Sequence, residues 1–155
     1  MSVAWRQRPT RIIAAAGYAN ALFNLGVCFR DGLVVTQDRA EAARLRRQAA
    51  DKGDAKAEAE LAQAYMYGQG VEKDYDAALR LARRAADKGD AFGECYMGLL
   101  FAEGWGVKQD KREAARWWAK SAAQGDEAAI TNLRTLAAEG APEAAAALRR
   151  LRLAP

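Results

Sequence analysis

The sequence predicts an all-α protein built as an α/α solenoid, and three observations carry that prediction. The dipeptide Gly-Asp recurs at Gly53-Asp54, Gly89-Asp90 and Gly125-Asp126, 36 residues apart each time. A fixed period in this range marks repeat architectures, where each unit is one supersecondary element stacked on the next. Hydrophobic residues form 51% of the 155-residue chain, yet alanine dominates them and Val, Ile and Phe are sparse. Alanine is the best helix former and is too small to fill a wide sheet-on-sheet core. Within the units, apolar residues recur at helical spacing, as with Leu61 and Tyr65 on one face.

Cutting after each Gly-Asp gives three full units in one domain, 19–54, 55–90 and 91–126. A partial unit, 1–18, precedes them and a shorter capping unit, 127–155, follows. Each unit reads as helix, tight loop, helix, turn. In 55–90, Asp54 caps the first helix by accepting backbone N–H bonds. Gly68 ends that helix in the left-handed conformation. Val71 turns inward, Asp74 caps the second helix, and Gly89 closes it. Capping boxes are expected where Asp38 precedes Glu41 and Asp110 precedes Glu113. Gly26, Ala62 and Gly98, at the eighth position of each unit, allow helices to approach closely. Pro142 and Glu143 start a final helix, with Leu148 and Leu151 facing inward and Arg149, Arg150 and Arg152 suited to its C-terminal dipole. Pro9 to Ala16, then Gly17, read as the tail of a second helix. The early arginines before Ile12 and Ile13 resemble a secretory leader less well, because the apolar stretch is short.

The composition excludes much chemistry. There is no histidine, and Ser2 and Ser121 are the two serines. Ser–His and Cys–His nucleophile pairs are therefore absent, as are histidine-containing zinc sites. No catalytic residue, metal set or cofactor motif is assigned. The loop Gly68-Gln69-Gly70 lacks the preceding strand and following Lys-Ser/Thr of a phosphate loop. Paired carboxylates such as Glu58 and Glu60 stand at i and i+2, which do not share a helix face. Cys28 and Cys95 are two units apart, farther than a disulfide reaches. Free buried thiols fit a reducing, cytoplasmic compartment, and a leader removed upstream would make it periplasmic. No apolar run reaches the ~18 residues of a spanning helix.

The strings AYMYGQGVEKDYDAA (64–78) and LLFAEGWGVKQDKREAARWWAKSAAQGD (99–126) closely resemble the Sel-one-like repeat, a relative of the tetratricopeptide repeat. The signature is an aromatic residue, then Gly-x-Gly-Val, then Asp, a small-residue second helix and the Gly-Asp junction. Unit 19–54 departs from it, with Gly32-Leu33-Val34 in the loop. The resemblance implies a right-handed superhelix whose first helices line a concave side and whose second helices line the convex side. It also implies a non-catalytic scaffold for protein–protein interaction, such as a bacterial adaptor or an immunity protein that neutralises an effector. Members described as β-lactam-binding resemble a cysteine-rich subclass with a disulfide in each repeat. This chain lacks that pattern, so a β-lactam-binding or hydrolysing enzyme stands only as a distant alternative.

By analogy with tetratricopeptide geometry, the second, fifth, ninth, twelfth and thirteenth positions of each unit line the groove. The expected partner-binding residues are Phe23, Val27, Gln63, Met66, Tyr67, Phe92, Cys95 and Leu99, with Tyr96 at the edge and Trp105 extending the wall. Phe92, Leu99, Tyr67 and Phe23 have the aromatic and apolar character of interface anchors. Filling of the inner wall by these same side chains is the structural alternative. Trp117 and Trp118 lie on a second helix. One ring is expected between helices and the other half-exposed, as a second contact face or a weak homodimer seam. The net charge of +4 and the arginines of the second helices raise a third reading, a convex nucleic-acid surface. Glu41, Asp51, Asp76, Asp87 and Glu113 in the same helices oppose it.

Overall fold

The computed structural model describes residues 39–154. The partial unit 1–18 and the expected first helix of unit 19–54, with Phe23, Val27 and Cys28, lie outside them, as does the expected cap residue Asp38. Seven helices follow in order: α1 (Arg39–Asp51), α2 (Ala55–Tyr67), α3 (Tyr75–Asp87), α4 (Ala91–Glu103), α5 (Lys111–Ala123), α6 (Glu127–Ala138) and α7 (Pro142–Arg150). Among the described residues there is no strand.

The recurring aspartates make these helices start where they do. Asp54, Asp74, Asp90, Asp110 and Asp126 each cap a helix, accepting from first-turn amides such as Ala57 N–H at 2.8 Å and Ala77 N–H at 2.9 Å. Each such cap stabilises by about 1 kcal/mol. The Asp110 cap corrects one expectation. Its carboxylate takes the Arg112 and Glu113 amides at 2.9 and 3.0 Å, and the Glu113 bond leads in holding its pKa below the usual range. The return half of the capping box is missing. The Asp110 amide donates to the Phe101 carbonyl at 2.9 Å, and Glu113 pairs with Arg116. The same backbone bond recurs one unit earlier, from Asp74 to Tyr65 at 3.0 Å, so it closes the loop inside units 55–90 and 91–126.

Each helix packs on the next. The first helices of adjacent units, α2 and α4, also pack directly, whereas the second helices α3 and α5 make at most marginal contact. The first helices thus form one continuous face. The cores between helices are alanine-rich, and glycine appears where a tryptophan must fit. A Cβ on Gly98 would lie 2.4 Å from the Trp118 ring, and one on Gly93 would lie 2.6 Å from Ala85. The Trp118 Nε1 donates to the Cys95 carbonyl at 3.1 Å. Trp117 and Trp118 are both buried, which corrects the expected half-exposed ring. Small neighbours make room for both. Trp117 sits among Ala62, Met66, Ala78, Ala82 and Met97. Trp118 belongs to the cluster of Ile130, Leu133, Leu136 and Leu148.

The residue that follows α3, and its counterpart after α5, reaches back to the junction before its own unit and to that unit's first helix. Lys88 bonds the Gly53 carbonyl at 3.1 Å and the Glu58 carboxylate at 2.8 Å. Glu58 is fully buried and also meets Arg84 at 2.7 Å. Gln124 occupies the Lys88 position one unit later, bonding the Gly89 carbonyl and Glu94 at 3.1 and 2.8 Å. Burial raises the Glu94 carboxyl above its ordinary range, against the opposing effects of Gln124 and Lys120. A raised carboxyl pKa means that stability falls as pH climbs through the unfolded pKa to the folded one, and both states are protonated below that window. Gln124→Lys supplies the missing cation. It should add on the order of 1 kcal/mol near neutral pH and little near about pH 3, as melting curves at the two pH values would show.

Candidate protein-binding groove

The face formed by α2 and α4 carries the residues singled out for partner contact. Repeat spacing places Lys56 and Phe92 at one position, Gln63 and Leu99 at another, and Tyr67 and Glu103 at a third. Tyr67 and Phe92 are the exposed large hydrophobic residues of the described chain, at 45% and 56%. Gln63, Tyr96, Leu99 and Trp105 are half-buried. Met66 and Cys95, expected on the groove wall, are buried instead. Met66 packs into the core that α2 shares with α4, beside Met97 and Leu100, and Cys95 into the core that α4 shares with α5 and α6, beside Trp118 and Ile130.

An aromatic ridge flanks this face. Trp105 stacks on Tyr75, with ring centroids 5.0 Å apart and planes at 15°, and Tyr67 meets Trp105 edge-on at 6.2 Å. The loop has to bring Trp105 close to the start of α3. Gly106 makes this possible: its φ is +69°, and an added Cβ would sit 2.9 Å from the Tyr75 carbonyl oxygen. Tyr75 was not singled out from sequence. The position one unit later is Lys111, so the repeat gave no aromatic signal there.

The polar groups of the face are held inert. Burial, with the adjacent Asp126 carboxylate, pushes the Cys95 thiol up to about 12, so it stays protonated at neutral pH. Burial likewise raises the Tyr96 phenol, reinforced by nearby Cys95 and Glu60. Among the described residues no group of His, Cys, Asp and Glu is arranged to hold a metal ion. No helix there is long and apolar enough to cross a membrane.

Between α4, α5 and α6 lies a pocket of about 260 Å³ lined by Leu99, Ala102, Trp118 and Leu136 with Glu103, Gln109, Lys111 and Glu139. Leu99 is its one member from the expected groove set. Ala102 and Glu103 stand at the twelfth and thirteenth positions of unit 91–126, and Thr135 and Glu139 at the ninth and thirteenth of the capping unit, so the pocket shares the positions that the tetratricopeptide analogy marks, while Gln109 and Lys111 join it from the loop and the start of α5.

The second-helix cations are mostly engaged within the chain. Arg44 pairs with Glu41, Arg46 with Glu60, Arg112 with Glu143 and Arg116 with Glu113. Arg47 donates to the Tyr65 hydroxyl at 2.6 Å. Arg83 and Lys120 lie over the Trp117 ring, at 5.2 and 4.2 Å from its centroid.

The family model described as Sel1 repeat matches residues 19–54, 55–90 and 91–126. Two solved structures are similar. One is a Sel1 repeat protein from Oxalobacter formigenes, 34% identical with a TM-score of 0.70, the match covering 78% of this chain and 50% of that one. The other is a protective antigen present in uropathogenic Escherichia coli strains and displaying an SLR fold, 32% identical with a TM-score of 0.78, covering 87% and 28% respectively. The chain thus spans half or less of each of these proteins. No curated protein matches it.

Proposed function

Because the chain belongs to the Sel1 repeat family, whose members commonly serve as protein-interaction scaffolds, we propose that it binds a partner protein on the face of its first helices. The observation that carries this reading is the exposure of Phe92 and Tyr67 there, at 56% and 45%, beside the ridge of Trp105 and Tyr75. Exposed aromatic residues on a rigid face, with polar residues around them, are the makings of binding hot spots. The helices are pre-formed, so binding takes place with little change of shape. Within this class the chain acts as a bacterial adaptor or an effector-neutralising immunity protein. The bacterial origin of both similar structures supports this. The engaged second-helix cations count against nucleic acid, and the lack of histidine counts against most nucleophilic and acid–base catalysis.

A photo-crosslinking amino acid placed at position 92 should capture one discrete protein in native cells. The same probe at Arg80, on a second helix, should capture none. Capture at 80 but not at 92 would move the interface off this face.

A further inference from the structure

The pocket between α4 and α6 indicates what kind of side chain the partner presents. At about 260 Å³ it falls below the roughly 300 to 1,000 Å³ of small-molecule and cofactor sites, and is the right scale for one long side chain. Its lining combines apolar groups, Leu99, Ala102, Leu136 and Trp118, with polar ones that include two carboxylates, Glu103 and Glu139.

The lining offers several free acceptors, with the Asn132 amide adding both donors and an acceptor. Gln109 already spends an amide hydrogen on the Ala102 carbonyl at 2.7 Å, leaving its oxygen open. Thr135 spends its only hydrogen on the Thr131 carbonyl at 3.1 Å, leaving lone pairs. Glu103 is exposed and forms no ion pair among the described residues. Lys111, the one cation, is paired with Glu139 at 2.7 Å, so the pocket keeps a net negative charge. The backbone adds to it. Glu103 ends α4 and Glu139 caps the C-terminus of α6. These helices are first helices of successive units and run the same way, so two negative dipole ends meet at the pocket.

We infer that this pocket takes a basic side chain, arginine or lysine, of the partner polypeptide. Its methylene stem would lie against Leu99, Leu136 and Trp118, as long cationic side chains do on apolar surface, and its head would be held by Glu103 and Glu139. The inference rests on the partner-binding reading of the adjacent face.

Random dodecapeptides displayed on phage, selected on the full chain, test both. The comparison proteins are Glu103→Gln/Glu139→Gln and Phe92→Asp. All of these positions are on the surface, and circular dichroism melts confirm that the folds match. The expected result is a family of peptides sharing an arginine or lysine, weakened at least about tenfold by the Gln pair and also lost on Phe92→Asp. Peptides lost on Phe92→Asp but lacking a shared basic residue and indifferent to the Gln pair would overturn the pocket assignment and leave the face standing. Basic peptides sensitive to the Gln pair but not to Phe92→Asp would keep the pocket and overturn the face. No enrichment at all would overturn both.

Discussion

Gly98→Ala should destabilise the fold by about 1 to 3 kcal/mol, and the same change in a Trp118→Ala background should be neutral or mildly stabilising. The added methyl has nowhere to go while the indole is present, because its contacts are a buried ring at 2.4 Å and not the end of a flexible side chain. Moving the ring would also break the Nε1 bond to the Cys95 carbonyl. Trp118→Ala alone should cost about 3 to 5 kcal/mol, a large share of the roughly 5 to 15 kcal/mol that holds a domain together. With the ring gone, alanine at 98 fills space and improves helix propensity by up to about 1 kcal/mol. The double variant recreates the pair that unit 55–90 carries at the same two positions, Ala62 and Ala82. Urea titration of the four proteins by circular dichroism gives the coupling energy. Equal penalties for Gly98→Ala in both backgrounds would show that the two residues do not constrain one another.

The second large effect concerns Glu58. Replacing Arg84 and Lys88 together with methionine should cost about 3 to 5 kcal/mol, because a fully buried carboxylate is left without a counter-charge. Both cations lie within 2.8 Å of it, so either one alone retains part of the compensation. Adding Glu58→Met should recover most of the loss, since a buried ion cluster exchanged for packed apolar groups is often neutral. Thermal melts of the double and triple variants decide the matter. A double variant within about 1 kcal/mol of the parent would show that water, and not these cations, satisfies Glu58.

These features were legible in the sequence to different degrees, for physical reasons. Caps and loop glycines were readable because they are local: an aspartate before a helix and a glycine after it act on amides and carbonyls within a few residues. Gly98 was readable as a close-approach position, but its tryptophan was not named, because facing residues on packed helices leave no trace in linear spacing. Repeat position puts Met66 and Cys95 on the groove wall because it does not reveal how closely α4 is packed by α2 on one side and by α5 and α6 on the other. The two tryptophans were split between core and surface because an adjacent pair on a helix ordinarily diverges. Here alanines on both sides leave space for each ring. The pocket is not visible in the sequence because Glu103 and Gln109 precede α5 while Thr135 and Glu139 follow it, and only stacking brings the two segments together.

Trp117 and Trp118 are neighbours in sequence, yet they belong to different cores. Trp117 seals α5 to the helices of unit 55–90, and Trp118 seals it to α6 and α7. In a linear array, stability is a sum of unit terms and junction terms, and each junction ordinarily breaks independently. A single helical turn shared by two junctions removes that independence. Distorting α5 should loosen both together, so native-state hydrogen exchange is expected to show the units on its two sides opening together and not repeat by repeat. The proposed binding face laid across these units would inherit that behaviour and stay whole until they give way together.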